Sequence, residues 1–315
     1  EETSTRRLNF AQSFNPMGSL AGMFVAKNFI QARLDPRDTA ARMDLSPSEF
    51  EAVKSHDLSV LANPYIVIGI VIIVMLIVIA FVKMPRNADR NRSIDLIPTL
   101  KRILSIPRYR EGVIAQFFYV GAQIMCWTYL YQYAESFGIN NENAVNYGIA
   151  ALSVFIIGRW VGTAMLRYIN PAKLLLFFSF GAIICTLVTI FVPGMTGLYA
   201  LVAISFFMSI MFPTIYGIAL EGRGEDAKFG AAFLVMAIVG GALMPTLQGL
   251  ILDLGGLGYT DVRILGVPEV NFSFVLPLFC FVIVAIYSRN VFAHKYKNNN
   301  DDSSFFFFYI SSLFY

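Results

Sequence analysis

"PYIVIGIVIIVMLIVIAFV", residues 64–82, carries no charged side chain and is almost wholly aliphatic. As an α-helix rising ~1.5 Å per residue it is ~28 Å long, close to the ~30 Å hydrocarbon core of a bilayer. A helix that is apolar on every face has no side to turn to water. It therefore reads as a membrane span. The whole chain shares this character. Of its 315 residues 57% are hydrophobic and only 14% are charged, and the mean hydropathy is +0.62. A soluble domain is about a quarter charged. The net charge of +3 is small, and no nucleic-acid partner is expected; the lipid bilayer is.

Working outward, eight segments are apolar and long enough to cross: 8–30, 64–83, 111–135, 145–168, 173–192, 196–220, 228–253 and 271–292. The first and third are the most polar, so their Asn and Gln residues are expected to face protein or water. Basic residues cluster at alternate ends: Arg6 and Arg7, the run from Lys83 to Arg110, Arg167 and Lys173, Arg223 and Lys228, and Arg289 to Lys297. The opposite loops are poor in Lys and Arg. The excess of positive charge on one side predicts that both termini of this chain are cytoplasmic, in a multi-pass protein of the cytoplasmic (inner) membrane.

Two loops are long. In loop 31–63, Ser46, Pro47 and Glu49 have capping-box spacing and predict a short extramembrane helix. Loop 84–110 is basic. Ile97, Leu100 and Leu104 fall on one helical face, which leaves two readings: a helix lying on the membrane surface, or a solvated linker. Two spans precede this loop and six follow it, half of a twelve-span architecture with two six-helix halves. On that reading residues 1–83 are the end of the first half, 84–110 the linker and 111–292 the second half. Four spans would precede Glu1. The Phe-rich tail 293–315 is low-complexity and is given no role.

Polar residues inside the spans are the candidates for function. Gln116, Tyr119, Gln123 and Trp127 recur at three- or four-residue steps on one face. Amides can donate to and accept from hydroxyls, and a ring face can cover the C–H face of a sugar; the same residues could instead tie helices together. In the first span Gln12, Asn15 and Ser19 share a face, Pro16 loosens the preceding turn, and Gly18, Ala21 and Gly22 would allow close helix contact. Pro213, and the set Gly240, Gly241, Pro245 and Gly249, predict two interrupted spans, which suits a moving gate. Nothing points to covalent chemistry. The chain has two histidines, and its three cysteines lie in apolar runs without metal-ligand spacing. No catalytic residue, metal or cofactor is expected, so an enzyme is not; an integral-membrane enzyme or scaffold stays as the remote alternative.

Arg159 sits in "LSVFIIGRWVGTAML", residues 152–166, ~12 Å inside the basic-rich end of its span. Such a placement costs ~2.5–3.5 kcal/mol without a partner. The spans hold no acid at similar depth. Either helix-end carbonyls bond the guanidinium, or it faces a carboxylate on helices outside this chain.

Four stretches, "RRLNFAQSFNPMGSLAG", "AQFFYVGAQIMCWTYLYQYA", "NYGIAALSVFIIGRWVGT" and "FMSIMFPTIYGIALEGRGEDAKFGAAFLVMAIVGGALMP", resemble the L-fucose–proton symporter family of the major facilitator superfamily. The resemblance covers residues 3 to about 290. It implies an all-α membrane protein in which eight of twelve helices, spans five to twelve, are present. It also implies symport of L-fucose with protons by alternating access, with glucose or galactose as the alternative sugar. Carried over by position, the substrate-binding residues are Gln12, Asn15, Gln123, Trp127, Phe155 and Arg159. Arg159 also serves proton coupling, against carboxylates of preceding helices. Two departures stand out: Phe212 occupies a position where relatives can have tyrosine, and "RYINPAK" lacks the aspartate of the superfamily's loop signature.

Overall fold

The structure is a computed structural model that describes residues 2–35, 37, 42, 45–82, 96–255 and 262–297. The basic segment 83–95 and the Phe-rich tail from 298 lie outside the described residues. Two compact units are formed, residues 1–18 with 95–315, and residues 19–94.

Unit 19–94 is dominated by one helix. After α1 (Glu2–Gln12) and α2 (Asn15–Val25), a π-helical turn at Ala26–Ile30 and a 3-10 turn at Gln31–Arg33 lead to a loop, and α3 runs from Pro47 to Phe81. The capping box forms as expected: Ser46 Oγ accepts from the Glu49 N–H, and the Glu49 side chain accepts from the Ser46 N–H. The short extramembrane helix does not end before the span, however. It continues through Pro64 into it as one 35-residue helix, ~52 Å long. Proline at 64 does not stop it because a membrane helix tolerates one lost backbone bond. Within unit 19–94 the apolar side chains of Tyr65 to Val82 are exposed, as a membrane span requires.

The loop before α3 is tied to it by charge. The Asp35 N–H donates to Asp57 Oδ1 (3.0 Å), Arg42 pairs with Asp57 (2.8 Å), and Arg37 grips the Asp35 carboxylate (2.9 Å). The Arg37 guanidinium holds the Asp35 carboxyl below its ordinary 3.8. A carboxyl lowered in the folded state contributes stability above its unfolded value, and that contribution is lost as pH falls through the folded value. The loop is therefore expected to stay closed from neutral pH down to about 3.8 and to open only in stronger acid. Asp35→Asn should reduce that acid step, and Asp57, which accepts the Asp35 N–H and pairs with Arg42, carries the rest. Amide exchange across residues 33–57, corrected for intrinsic rates, measures it; opening already at about pH 5 would contradict the assignment.

The larger unit is a helical bundle. Its elements are α4 (Leu96–Leu104), α5 (Pro107–Thr128), α6 (Leu130–Glu135), α7 (Asn141–Met165), α8 (Pro171–Phe191), α9 (Met195–Met208), α10 (Met211–Leu220), α11 (Ala227–Met236), α12 (Gly240–Leu252), α13 (Glu269–Ser273) and α14 (Val275–Lys297), with a small hairpin β1 (Arg263–Ile264) and β2 (Val267–Pro268) before α13. Asn140 and Asn170 cap α7 and α8 with their side-chain oxygens. Helix α5 is central, packing on α14, α12 and α10, while α8 lies between α9 and α14. Across the described residues seven helices are long and apolar enough to cross a membrane. The eighth expected span, 8–30, is helical but broken into α1, α2 and the π turn.

The breaks follow from proline. A proline cannot donate to the carbonyl four residues before it. Helix α1 therefore ends at Gln12, one turn before Pro16, and α9 ends at Met208, one turn before Pro213. In the seventh expected span the irregular piece is a 3-10 turn at Ala237–Val239, just before the Gly240–Gly241 pair.

Helix α4 forms, so this stretch is a helix and not a plain linker. Ile103 is fully buried with Tyr109, Ala219 and Leu234, and Leu104 packs on this cluster. The helix is docked on protein; the side chains of Ile97 and Leu100 lie outside the described residues. Arg102 holds it there through a two-point pair with Asp226 (2.5 and 3.0 Å), and Arg108 pairs with Glu221.

The glycines that close the bundle are not those of the first span. An added Cβ at Gly18 or Gly22 would meet no atom within 4 Å among the described residues, whereas one at Gly158, Gly162 or Gly240 would strike α9, the following turn or α5.

Candidate functional site

Helix α7 places Phe155, Gly158 and Arg159 in one turn. A Cβ at Gly158 would lie 2.7 Å from the Phe206 carbonyl and 2.9 Å from Ser209 Oγ. Only glycine lets α7 come this close to α9. That approach brings the next residue, Arg159, against the end of α9. Arg159 is 4% exposed. Its Nε donates to the Ser209 carbonyl at 2.6 Å and its Nη1 to the Gln12 carbonyl at 2.9 Å.

Both acceptors lie four residues before a proline, Ser209 before Pro213 and Gln12 before Pro16. Each carbonyl has lost its helical donor, and the arginine supplies one. Of the two sequence readings, the described residues show the helix-end carbonyls. The two helix breaks, at the ends of α1 and α9, each aim one carbonyl dipole at the guanidinium.

The break in α9–α10 is filled from a second side, where Tyr119 Oη donates to the Met208 carbonyl at 2.9 Å. The rings of Phe10, on α1, and Phe14, in the break after it, pack on Trp160 at 5.7 and 6.1 Å, which brackets Gln12 against α7.

An aromatic group continues from the guanidinium. Arg159 Cζ lies 4.8 Å over the ring of Phe155, and Trp127 meets Phe155 edge-to-face at 5.1 Å. Trp127 Nε1 donates to Ser205 Oγ at 3.2 Å. Phe155 is 2% exposed, with Arg159 over its face and Trp127 beside it. Trp127 is half-buried and keeps ring surface available. Gln123, one turn before Trp127 on α5, is also half-buried. Gln116, on the same face, is fully buried with neither amide atom hydrogen-bonded.

The structure thus brings Trp127, Phe155, Arg159 and the backbone of Gln12 together. Asn15 is exposed and opens α2, across a two-residue break from Gln12, so the expected common helix face is interrupted. Sequence reading missed Ser205 and Ser209. Ser209 had a legible signal, the proline four positions on; Ser205 had none.

The sequence profile of the Major Facilitator Superfamily matches residues 2–245. The chain belongs to the Major Facilitator Superfamily. Among curated superfamily members it is 47% identical over 293 residues to the L-fucose-proton symporter of Haemophilus influenzae, covering 91% of this chain and 67% of that one. It is 30% identical over 295 residues to the L-fucose-proton symporter of Escherichia coli (92% and 65%), and 29% identical over 294 residues to a glucose/galactose transporter of Brucella abortus (91% and 63%). The crystal structure of a superfamily transporter, FucP, in the outward conformation matches with a TM-score of 0.76 at 30% identity, covering 92% of this chain and 69% of that one. The chain spans about two thirds of the length of these relatives.

Proposed function

We propose that this chain forms spans five to twelve of a secondary active transporter, not an enzyme, that carries L-fucose together with protons by alternating access. Its place is a bacterial inner membrane, with both described ends on the cytoplasmic side. The observation that carries this reading is the Trp127–Phe155–Arg159 group, set among amides at the meeting point of two proline-broken helices. The L-fucose-proton symporters of H. influenzae and E. coli support the choice of sugar. The B. abortus glucose/galactose transporter keeps a second reading open, and Phe212, which offers no hydroxyl, favours neither sugar.

On this reading Trp127 is the stacking ring, because Arg159 already covers one face of Phe155. Gln123, Gln12 and Asn15 bond sugar hydroxyls, the last two after the halves move. Arg159 lowers the pKa of a carboxylate on a preceding helix when it approaches and releases it when it retreats. Trp127→Ala is expected to weaken sugar binding about tenfold, the value of one aromatic contact with its buried area. Titration calorimetry checks this, and an unchanged affinity rejects the stacking role.

The function is tested by uptake into proteoliposomes holding the complete protein. L-Fucose accumulation driven by an imposed pH gradient and abolished by a protonophore is the expected result. Accumulation of glucose in its place establishes the second reading. Uptake indifferent to the gradient rejects proton coupling.

A further inference from the structure

Arg159 is held by two carbonyls from different helices, and both were freed in the same way. Gln12 ends α1, and its helical donor would be residue 16, a proline. Ser209 caps α9, and its donor would be residue 213, a proline. Pro16 and Pro213 are themselves buried. Each ring also crowds the carbonyl one turn back and tilts it out of the helix. A freed carbonyl in an apolar bundle is costly to leave unmet, and so is a guanidinium. One fork of donors, Nε and Nη1, meets both at 2.6 and 2.9 Å.

We propose that Pro16 and Pro213 are positioning residues for Arg159. Each withholds one N–H, and the two carbonyls left over form the seat of the guanidinium. The seat meets the guanidinium with two carbonyl dipoles in place of a carboxylate. It also fixes the guanidinium over Phe155, and so the ring against which Trp127 stands. Bonds to neutral carbonyls hold the guanidinium more weakly than a carboxylate would, so Arg159 can leave the seat when an acid approaches. This last step rests on the transport reading above; the seat itself does not.

The seat makes a test independent of sugar. Pro213→Ala restores an N–H that competes for the Ser209 carbonyl. The α-hydroxy analogue of alanine at 213 removes the ring but, as an ester, still carries no N–H. The readout is solvent exchange of the Arg159 Nε–H, observed by 15N NMR of arginine side chains in micelles and assigned by its disappearance in Arg159→Lys. Exchange should be slow in the unaltered protein, about tenfold faster in Pro213→Ala, and slow again in the ester variant. Equal protection in the unaltered and Pro213→Ala proteins overturns the proposal. Equal loss in the alanine and ester variants also does, since the ring alone would then matter. If Pro213→Ala does not fold, Pro16→Ala and its ester, read at the Nη1 protons, decide the same question with the same two outcomes. A protein that binds no sugar yet shows this pattern refutes the transport reading and leaves the seat standing.

Discussion

Arg159→Met is expected to abolish coupled uptake while leaving the protein folded. Two effects oppose each other in the bundle. Losing the guanidinium strands the Gln12 and Ser209 carbonyls, which Pro16 and Pro213 cannot serve, at roughly 1–3 kcal/mol each. Removing a charge from the membrane interior returns ~2.5–3.5 kcal/mol. The net cost lies between about −1.5 and +3.5 kcal/mol, so thermal unfolding should stay cooperative with at most a moderate fall in midpoint. Function has no such offset. The pairing that biases the proton-carrying acid is gone, and Phe155 loses the cation over its face. A fall in uptake on the order of a hundredfold corresponds to ~2.8 kcal/mol, at 1.4 kcal/mol per decade. Arg159→Lys should not rescue it, because an ammonium lacks the rigid fork that reaches both carbonyls. Proteoliposome uptake and thermal unfolding of the same preparations measure the two halves of this prediction. Full uptake by the lysine variant would sink it.

Gly240→Val should have the largest effect on stability. A Cβ at 240 would lie 2.1 Å from the Phe117 carbonyl oxygen and 2.8 Å from its carbon. Both are backbone atoms, so no rotamer change can make room. Helix α12 must move off α5, which also pulls Met244 away from Gly121, where an added Cβ would lie 2.5 Å from Met244 Cγ. Overpacking of this kind costs about 3 kcal/mol. Cys126 and Cys280 are buried and report the outcome through a thiol-reactive dye during heating. Gly240→Val should expose them at a clearly lower temperature. Gly18→Ala, with open space around it, should not. Coincident transitions for the two variants would show that the α5–α12 contact carries no weight.

Much of this architecture was legible before any coordinates. Spans such as 64–82 announce themselves because hydrophobic length is a one-dimensional property and the bilayer sets the ruler. The capping box at Ser46–Glu49 was legible for the same reason: its geometry depends only on spacing along the chain. The continuity of α3 through Pro64 was not, because whether a proline stops a helix depends on what surrounds it. The same limit applies to the glycines. Gly18 and Gly22 look like a packing stripe in sequence, yet the close approaches are made at Gly158, Gly162 and Gly240, since only the neighbouring helix determines whether a missing side chain is used.

The site divides along the same line. Sequence alone determined that Arg159 is a charge buried in a span, that Trp127 and Gln123 share a helix face, and that Pro16 and Pro213 each leave one carbonyl without a donor. All three follow from helical periodicity and bond geometry within one segment. Only the tertiary structure decided that those two carbonyls, 197 residues apart, converge on that one arginine. No local rule links them, because α1, α7 and α9 come together through glycine-permitted approach and ring packing across helices.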